Sequence, residues 1–181
     1  AIWPISRIWS QLSPDGQNRQ YFLNEYGGYQ MDYQAQMDYA NKNNPFIALC
    51  GFEVTEVGVD YAVATAEIRP ELLNPGSTVH GGALYTLADL AATTAARTNG
   101  YRYATIDGTM YYHKALLKGT VRETATIRHR GRSISAITVT LQDETGRLLA
   151  DATFSVFRLK PICFPLSGAV SSEQTIGNTN M

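Results

Sequence analysis

One long helix, predicted for residues 79 to about 98, stands among six segments that favour β-strands. A hairpin is predicted before this helix and four strands after it, at residues 52–57, 61–68, 103–112, 120–128, 133–142 and 148–159. A single helix can bury its apolar face against so many strands only if the sheet curves around it. The sequence therefore predicts an α+β fold in which an antiparallel sheet wraps around one long central helix.

The predicted helix has two different faces. At about 100° per residue, Leu84, Leu87 and Ala91 share one face, which we assign to the sheet. Asp89 lies nearly opposite, on a face whose other residues are small or mildly polar, namely Gly82, Tyr85, Thr86, Thr93 and Ala96. That second face suits water or close packing on another subunit.

Both ends of the chain differ from this core. Residues 1–44 are rich in Gln, Asn and Tyr and form an N-terminal extension, with a helix predicted over about 28–43 that ends before Pro45. Strands are expected directly afterwards, and residues 45–160 are predicted to be one domain. Residues 161–181 form a polar tail, predicted to be a flexible end or an arm on a neighbouring subunit.

Charge and hydropathy exclude several classes of function. The formal net charge of -1 offers no electrostatic basis for a nucleic-acid partner. No apolar run approaches the roughly 20 residues that span a bilayer, so no membrane span is predicted. The apolar patch at the start of the chain is interrupted by Pro4 and Arg7 and is no secretory segment, although a removed leader stays open.

The cysteines and histidines predict neither a disulfide nor a metal site. Cys50 and Cys163 are far apart and form no CxxC, which fits free thiols in a reducing, cytoplasmic compartment. His80, His113 and His129 lack the spacing of metal ligands. The sequence therefore predicts a protein that needs no metal or cofactor.

Residues 74–89 carry the most specific chemical pattern in the chain. His80, Gly81 and Gly82 form the entry to the predicted helix, where each glycine costs roughly 1 kcal/mol relative to Ala. Glycine is useful there if something must approach the backbone closely, and the free N–H groups of a helix start attract an oxygen that gains negative charge. Asp89 follows within the helix, where propensity does not favour Asp. The pattern indicates a chemical role for Asp89.

A family resemblance rests on the order of these residues. Asn-Pro-Gly, His-Gly-Gly-Ala and Leu-Ala-Asp follow one another between residues 74 and 89, and Gly-Arg-Leu-Leu-Ala at 146–150 opens the last strand. With the flanking strands, residues 44 to 160 resemble the hotdog-fold acyl-CoA thioesterases of the phenylacetate-degradation (PaaI-like) type. The resemblance implies a hotdog fold, a homodimer or homotetramer, and metal-independent hydrolysis of an acyl-CoA substrate to a free acid and CoA.

The resemblance also implies a role for each motif residue. Asp89 matches the catalytic carboxylate, which activates water or attacks the thioester directly. Gly81 matches the residue whose backbone N–H polarises the thioester carbonyl. Asn74 matches a side chain that helps to place the carbonyl or the water, and His80 matches a histidine that more often supports the loop than carries a proton. Thr105 aligns with a strand hydroxyl that holds the attacking water in some members.

Several of these assignments have a simpler structural alternative. Gly82, a candidate substrate contact, could instead permit close packing of the helix. Asn74 could build a turn, and Thr105 could be an ordinary strand residue. Arg130 and Arg132 are candidates for binding the phosphates of CoA, and in the alternative they belong to a solvated hairpin turn.

The spacing along the helix favours a site shared between subunits. Gly81 and Asp89 are eight residues apart, which is about 12 Å along a helix. An acid–base group and an oxyanion donor must each lie about 3 Å from one reacting group, which a single helix cannot easily achieve. In a two-fold dimer, Gly81 of one subunit can face Asp89 of the other. A monomer is then predicted to be inactive.

Two other functions stay open. The same fold supports acyl-thioester hydratases and dehydratases, although the His-Gly-Gly pattern speaks against them, and a third possibility is a protein that binds acyl-CoA without turnover. After Tyr112, many relatives carry an Arg-Pro-like pair where this chain has His113-Lys114-Ala115, so the substrate tunnel near that strand end is not predicted. The N-terminal extension is expected either to cap the acyl pocket or to mediate assembly.

Overall fold

The computed structural model describes residues 21–23 and 29–162. Three α-helices are present within these residues, α1 Tyr33–Lys42, α2 Pro45–Cys50 and α3 Gly81–Arg97, together with a short 3-10 helix at Pro70–Leu72. The strands are β1 Tyr21–Leu23, β2 Tyr29–Met31, β3 Phe52–Gly58, β4 Tyr61–Glu67, β5 Tyr101–Tyr112, β6 Thr120–Arg130, β7 Ile134–Asp143 and β8 Leu148–Pro161. The first two pair with each other, and the other six form one antiparallel sheet in the order β3-β4-β6-β7-β8-β5. The predicted α+β architecture is confirmed.

Helix α3 packs on the sheet through leucines and alanines. The predicted sheet-facing residues Leu84, Leu87 and Ala91 are all buried, and Ala88 and Ala95 have no exposed surface. Such small side chains allow the helix backbone to approach the sheet closely. The face that the sequence assigned to the sheet is therefore confirmed.

The predicted hairpin and strands are present with small shifts at their ends. β3 and β4 pair across a turn in which Asp60 adopts a left-handed conformation (φ 61°), which Asp tolerates better than most residues. β5 begins at Tyr101 and β6 extends to Arg130, each two residues beyond the prediction. α3 begins at Gly81 instead of residue 79 because His80 is extended and caps the helix.

The helix predicted over 28–43 begins only at Tyr33, so its first part was wrong. Residues 29–31 instead form β2, and Asp32 caps α1 by accepting a hydrogen bond from Ala35 N at 2.9 Å. The region expected to start the strands is also helical, because Pro45 occupies the first turn of α2, where its missing N–H costs nothing. Asn44 caps this short helix.

The second face of α3 is less open than predicted. α1 covers its C-terminal half, where the buried Gln36 side chain donates from Nε2 to Thr94 O at 2.7 Å. Thr93 and Ala96 are consequently buried within the chain. Only the N-terminal half, with Tyr85, Thr86 and Asp89, keeps partial exposure.

Strand β6 places a carboxyl group inside the core. Glu123 is fully buried, opposite Ala64 on β4 and Leu141 on β7. Neither carboxyl oxygen has a hydrogen-bond partner among the described residues. Burial raises the pKa of Glu123 well above its ordinary value, because a charged carboxylate is poorly solvated there.

Strand β5 forms one edge of the sheet. It is paired with β8 on one side only, and Ile106, Tyr111 and Tyr112 are more than half exposed. A long edge strand with exposed apolar side chains offers unpaired backbone groups to another strand.

No helix within the described residues is long and apolar enough to cross a membrane. The predictions for residues 1–20 and for the tail beyond Ile162 lie outside the described residues.

Candidate active site

The start of α3 combines a satisfied cap with one free donor. His80 Nδ1 accepts a hydrogen bond from Gly82 N at 2.9 Å, and His80 O accepts from Ala83 N. Gly81 N–H, as the first N–H of the helix, has no carbonyl one turn earlier to bind. Within residues 29–162 it meets no acceptor at all. The arrangement gives His80 a structural role and leaves the Gly81 N–H available to a ligand.

Close packing explains part of the need for glycine here. The Tyr112 hydroxyl donates to Gly81 O at 2.9 Å, and a Cβ at Gly81 would lie 3.2 Å from the Tyr112 ring. A Cβ at Gly82 would lie 3.0 Å from His80 Nδ1. Both contacts are tighter than most real Cβ contacts. Gly81 thus packs closely against strand β5, while Gly82 meets only the His80 cap of its own helix, and neither contact excludes a role for the Gly81 N–H.

The side chain of Asn74 is occupied within its own loop. Its Oδ1 accepts from Gly76 N at 2.8 Å and from Thr78 N at 3.3 Å, and its Nδ2 donates to Thr78 Oγ1 at 2.8 Å. These bonds support a tight turn in which Ser77 has φ 58°. The turn-building alternative therefore describes what Asn74 does in this chain.

Asp89 and Thr105 meet directly, although they are 16 residues apart in sequence. Thr105 Oγ1 donates to Asp89 Oδ1 at 2.5 Å. The pairing of β5 with β8 shifts register between Thr105 and Asp107, and such bulges redirect side chains. Burial raises the pKa of Asp89, while the Thr105 hydrogen bond and the charge of Arg97 partly offset that rise. A carboxylate with a raised pKa and a positioned hydroxyl is suited to proton transfer.

Asp89 lines a cavity of about 610 Å³ between α3, the start of β5 and the two short helices of the N-terminal part. The α1–α2 wall consists of Tyr39, Ala40, Asn43, Asn44, Phe46 and Ile47. Arg97 and Arg102 contribute two cationic side chains to the same cavity. The sequence pattern missed these residues, although Arg97 follows Asp89 by two helical turns and that spacing could have found it.

Arg130 is engaged by groups of its own chain, and its assignment to the phosphates of CoA stays a prediction. Its guanidinium binds Asp60 at 2.6 Å and also donates to the carbonyls of Ala95 and Ala96 at the end of α3. The last carbonyls of a helix lack partners in the helix and attract a cation. Arg132 lies exposed on the β6–β7 turn, and its assignment to phosphate stays a prediction.

Three of the predicted residues are thus brought to one region, but not to one point. Asp89 and Thr105 are in contact, whereas Gly81 lies eight residues earlier on the same helix. The described residues contain no group of three or more His, Cys, Asp or Glu that could hold a metal ion. One subunit therefore presents the Asp89–Thr105 pair in the middle of α3 and the Gly81 N–H at the start of that helix.

Comparison with known proteins gives consistent results. A model of the thioesterase superfamily matches residues 76–150. A predicted esterase of Mycobacterium tuberculosis is 31% identical over 116 residues, which cover 61% of this chain and 83% of that protein. The solved structure of that esterase aligns with a TM-score of 0.63 at 29% identity and covers 66% of this chain and 99% of its own.

Two PaaI proteins have the same architecture. A mutant of the phenylacetic acid degradation protein PaaI from Thermus thermophilus aligns with a TM-score of 0.61 at 33% identity, covering 64% of this chain and 100% of its own. Escherichia coli PaaI aligns with a TM-score of 0.69 at 20% identity, covering 72% and 96%, which is a likeness of fold. In sequence, the acyl-coenzyme A thioesterase PaaI of E. coli is 24% identical over 110 residues, covering 60% of this chain and 79% of that protein.

Proposed function

This chain belongs to the thioesterase superfamily and has the hotdog fold of the PaaI-like thioesterases, and from that premise we propose that it hydrolyses an acyl-CoA thioester to a free acid and CoA. The observation that carries the proposal is the hydrogen bond between Thr105 and Asp89, a carboxylate that lines the cavity. Asp89 is the base or the nucleophile, and the Gly81 N–H is the oxyanion donor. The reaction needs neither a metal nor a cofactor.

The chemistry follows from the ionised form of Asp89. As a base, Asp89 takes a proton from water while the oxygen adds to the thioester carbonyl, and the C–S bond then breaks to release the thiolate of CoA. As a nucleophile, it forms a mixed anhydride that water hydrolyses. Both routes place negative charge on the carbonyl oxygen, where a preorganised N–H is most effective.

Thr105 supports Asp89 in either route. Its hydroxyl donates to Asp89 Oδ1 and keeps lone pairs that can accept a hydrogen bond from the attacking water. The same hydroxyl can therefore orient the carboxylate and the water together. The family resemblance implies a contact of Thr105 with the water, and the contact with Asp89 adds to that role.

The site is completed by a second copy of the chain. The exposed edge of β5 carries Thr105 and can pair with the same strand of another subunit around a two-fold axis. Such pairing would bring the Gly81 N–H of one subunit toward Asp89 of the other. What supports this is the separation of Gly81 from Asp89 along α3 and the unpaired N–H of Gly81.

The proposal is tested by thiol release from short, medium, long and aryl acyl-CoAs. Wild type is expected to release CoA from some of them, and Asp89→Asn to reduce kcat/KM about a thousandfold while folding normally. Asp151→Asn is the matched control, because it removes an exposed carboxylate that pairs with His113 on another part of the sheet. A chelator in the assay should leave the rate unchanged.

Three results would contradict the proposal. Unchanged turnover by Asp89→Asn would remove Asp89 from the mechanism. Hydration of an enoyl-CoA without thiol release would indicate a hydratase. Tight binding of an acyl-CoA whose thioester stays intact, in a folded oligomer, would indicate a binding protein.

A further inference from the structure

Two arginines line the cavity, and Asp89 is the one carboxylate among the described residues that line it, so the cavity has more cationic than anionic side chains. Arg97 lies on α3 and is half-buried, and Arg102 lies near the start of β5 and is exposed. Within residues 29–162, neither guanidinium has a hydrogen bond or an ion pair. A guanidinium has five donors in a planar fork and is costly to bury without acceptors.

Electrostatics around Arg97 indicates a missing anion. Burial lowers the pKa of Arg97, and the charge of Arg102 lowers it further, whereas Tyr39 and Asp89 act in the opposite direction. The two guanidiniums are therefore close enough to repel each other across the cavity. An anion between them would relieve both the repulsion and the desolvation of Arg97.

Arg130 provides a contrast within the same molecule. Its Nε, Nη1 and Nη2 atoms all donate to oxygens of the protein, including the carboxylate of Asp60. The chain thus satisfies an arginine fully where the arginine has a structural task. Arg97 differs because it lines an open cavity and makes no hydrogen bond or ion pair with the described residues.

The distance to Asp89 is suitable for a short acyl chain. Arg97 follows Asp89 by eight residues, so their backbones are about 12 Å apart along the helix. Long helical side chains lean toward the helix N-terminus, which brings the guanidinium back toward Asp89. A thioester carbonyl at Asp89 would therefore leave a short acyl chain pointing at Arg97.

We propose, as an extension of the function proposed above, that Arg97 and Arg102 form a subsite for a carboxylate at the far end of the acyl group. The preferred substrates are then CoA monothioesters of short dicarboxylic acids. Asn43 and Asn44, which line the same cavity, add amide groups suited to a polar acyl terminus. A guanidinium pair recognises a carboxylate through charge-assisted, bidentate hydrogen bonds.

The phosphates of CoA are a second source of anionic oxygens. They are separated from the sulfur by the whole pantetheine arm, whereas Arg97 lines the same cavity as Asp89, where the thioester would react. The acyl carboxylate is therefore the better match. The two sources differ experimentally, because a thioester of N-acetylcysteamine has no phosphate.

The test compares adipoyl with hexanoyl thioesters, each as the CoA and the N-acetylcysteamine form. Wild type is expected to prefer adipoyl over hexanoyl in both forms. Arg97→Gln should lower kcat/KM for adipoyl at least about tenfold in both forms and leave hexanoyl nearly unchanged. Arg97→Lys should lose less than Arg97→Gln, because it keeps the charge but not the planar fork.

Control variants keep the outcome decisive. Arg122→Gln removes an exposed arginine that pairs with Glu56 and should change none of the four rates. Arg102 is exposed, so Arg102→Gln should fold and show the same selective loss even if Arg97→Gln does not fold. Thermal unfolding and the oligomeric state of each variant are measured alongside.

The outcomes separate this inference from the function on which it rests. Losses in the CoA forms alone, for both acyl groups, would assign the arginines to phosphate and overturn the acyl-carboxylate subsite. Asp89-dependent hydrolysis with no preference for adipoyl would overturn the subsite and leave the thioesterase intact. No thiol release from any of the four compounds by folded wild type would overturn both.

Discussion

At its C-terminal end, α3 presents the carbonyls of Ala95 and Ala96 to Arg130, whereas at its N-terminal end the N–H of Gly81 has no acceptor within residues 29–162. Both ends carry orphan backbone groups that a fold normally satisfies. At the C-terminal end, Arg130 also binds the Asp60 carboxylate and the hydroxyls of Tyr103 and Thr98. At the N-terminal end, the His80 side chain accepts a hydrogen bond from Gly82 N alone. The difference indicates that the free donor at Gly81 is kept for something outside the chain.

The largest expected effect is at the open end. Gly81→Val should reduce turnover about a hundredfold or more, because its side chain would obstruct the approach to the oxyanion donor. Mixing Gly81→Val with Asp89→Asn subunits should restore part of the activity if the site is shared, since one of the two sites in a mixed dimer then has both wild-type groups. Activity is measured after dissociation and reassembly of the two variants.

Failure of that mixture would contradict the shared site, provided that mixed dimers are detected by mass spectrometry. Gly81→Val also brings a side chain toward the Tyr112 ring, so thermal unfolding must be compared. If the loss of turnover is no larger than the unfolded fraction explains, Gly81 is needed for packing. Its N–H would then have no separate role in catalysis.

At the closed end, the expected effect is on stability. Arg130→Met should lower the free energy of unfolding by about 2–4 kcal/mol, because it removes the donor to Ala96 O and Asp60, while Ala95 O keeps its hydrogen bond from Thr98 Oγ1. Denaturant unfolding measures the change. Arg122→Met is the matched control, since its ion pair with Glu56 is exposed and should contribute less than about 1 kcal/mol.

Turnover by the folded fraction of Arg130→Met sharpens the comparison. It should stay within about threefold of wild type if this end of α3 has a purely structural role. A selective rise in KM for CoA substrates, with normal stability, would instead return Arg130 to the phosphate-binding assignment.

The smallest expected effect is a shift in the pH profile. Thr105→Val removes a hydrogen bond that lowers the pKa of Asp89, so that pKa should rise further. If ionised Asp89 is the active form, the acid limb of kcat/KM moves to higher pH, and rates at alkaline pH change least. Thr105→Ser keeps the hydroxyl and should leave the limb where it is. An unmoved limb in Thr105→Val would mean that another group titrates there.

Much of the fold could be predicted because its signals are local. The periodicity of α3 and the alternation of the strands lie within single segments, and glycine and aspartate mark their turns. α2 was missed because Pro45 was interpreted as the end of one helix, although proline also favours the start of another. The burial of Thr93 and Ala96 depends on α1, which no pattern within α3 reveals.

The candidate site divides in the same way. Asp89 and the glycines stand in one short motif, which could be found without a structure. The contact between Asp89 and Thr105 depends on the register of β5 and its bulge, and the occupation of Arg130 depends on where the β6–β7 turn meets the end of α3. Long-range contacts of this kind have no characteristic residue spacing from which they could be predicted.

The proton on the buried carboxyl of Glu123 stabilises the folded state in the same way as a bound ligand. Its pKa is raised by burial in the native core, so the native chain holds that proton more tightly than the unfolded chain does. The resulting stabilisation is complete below the ordinary pKa of Glu and is lost as pH rises through the raised value. Asp89 acts in the same direction. These two carboxyl groups therefore contribute more to the free energy of unfolding in mild acid than above their raised pKa values.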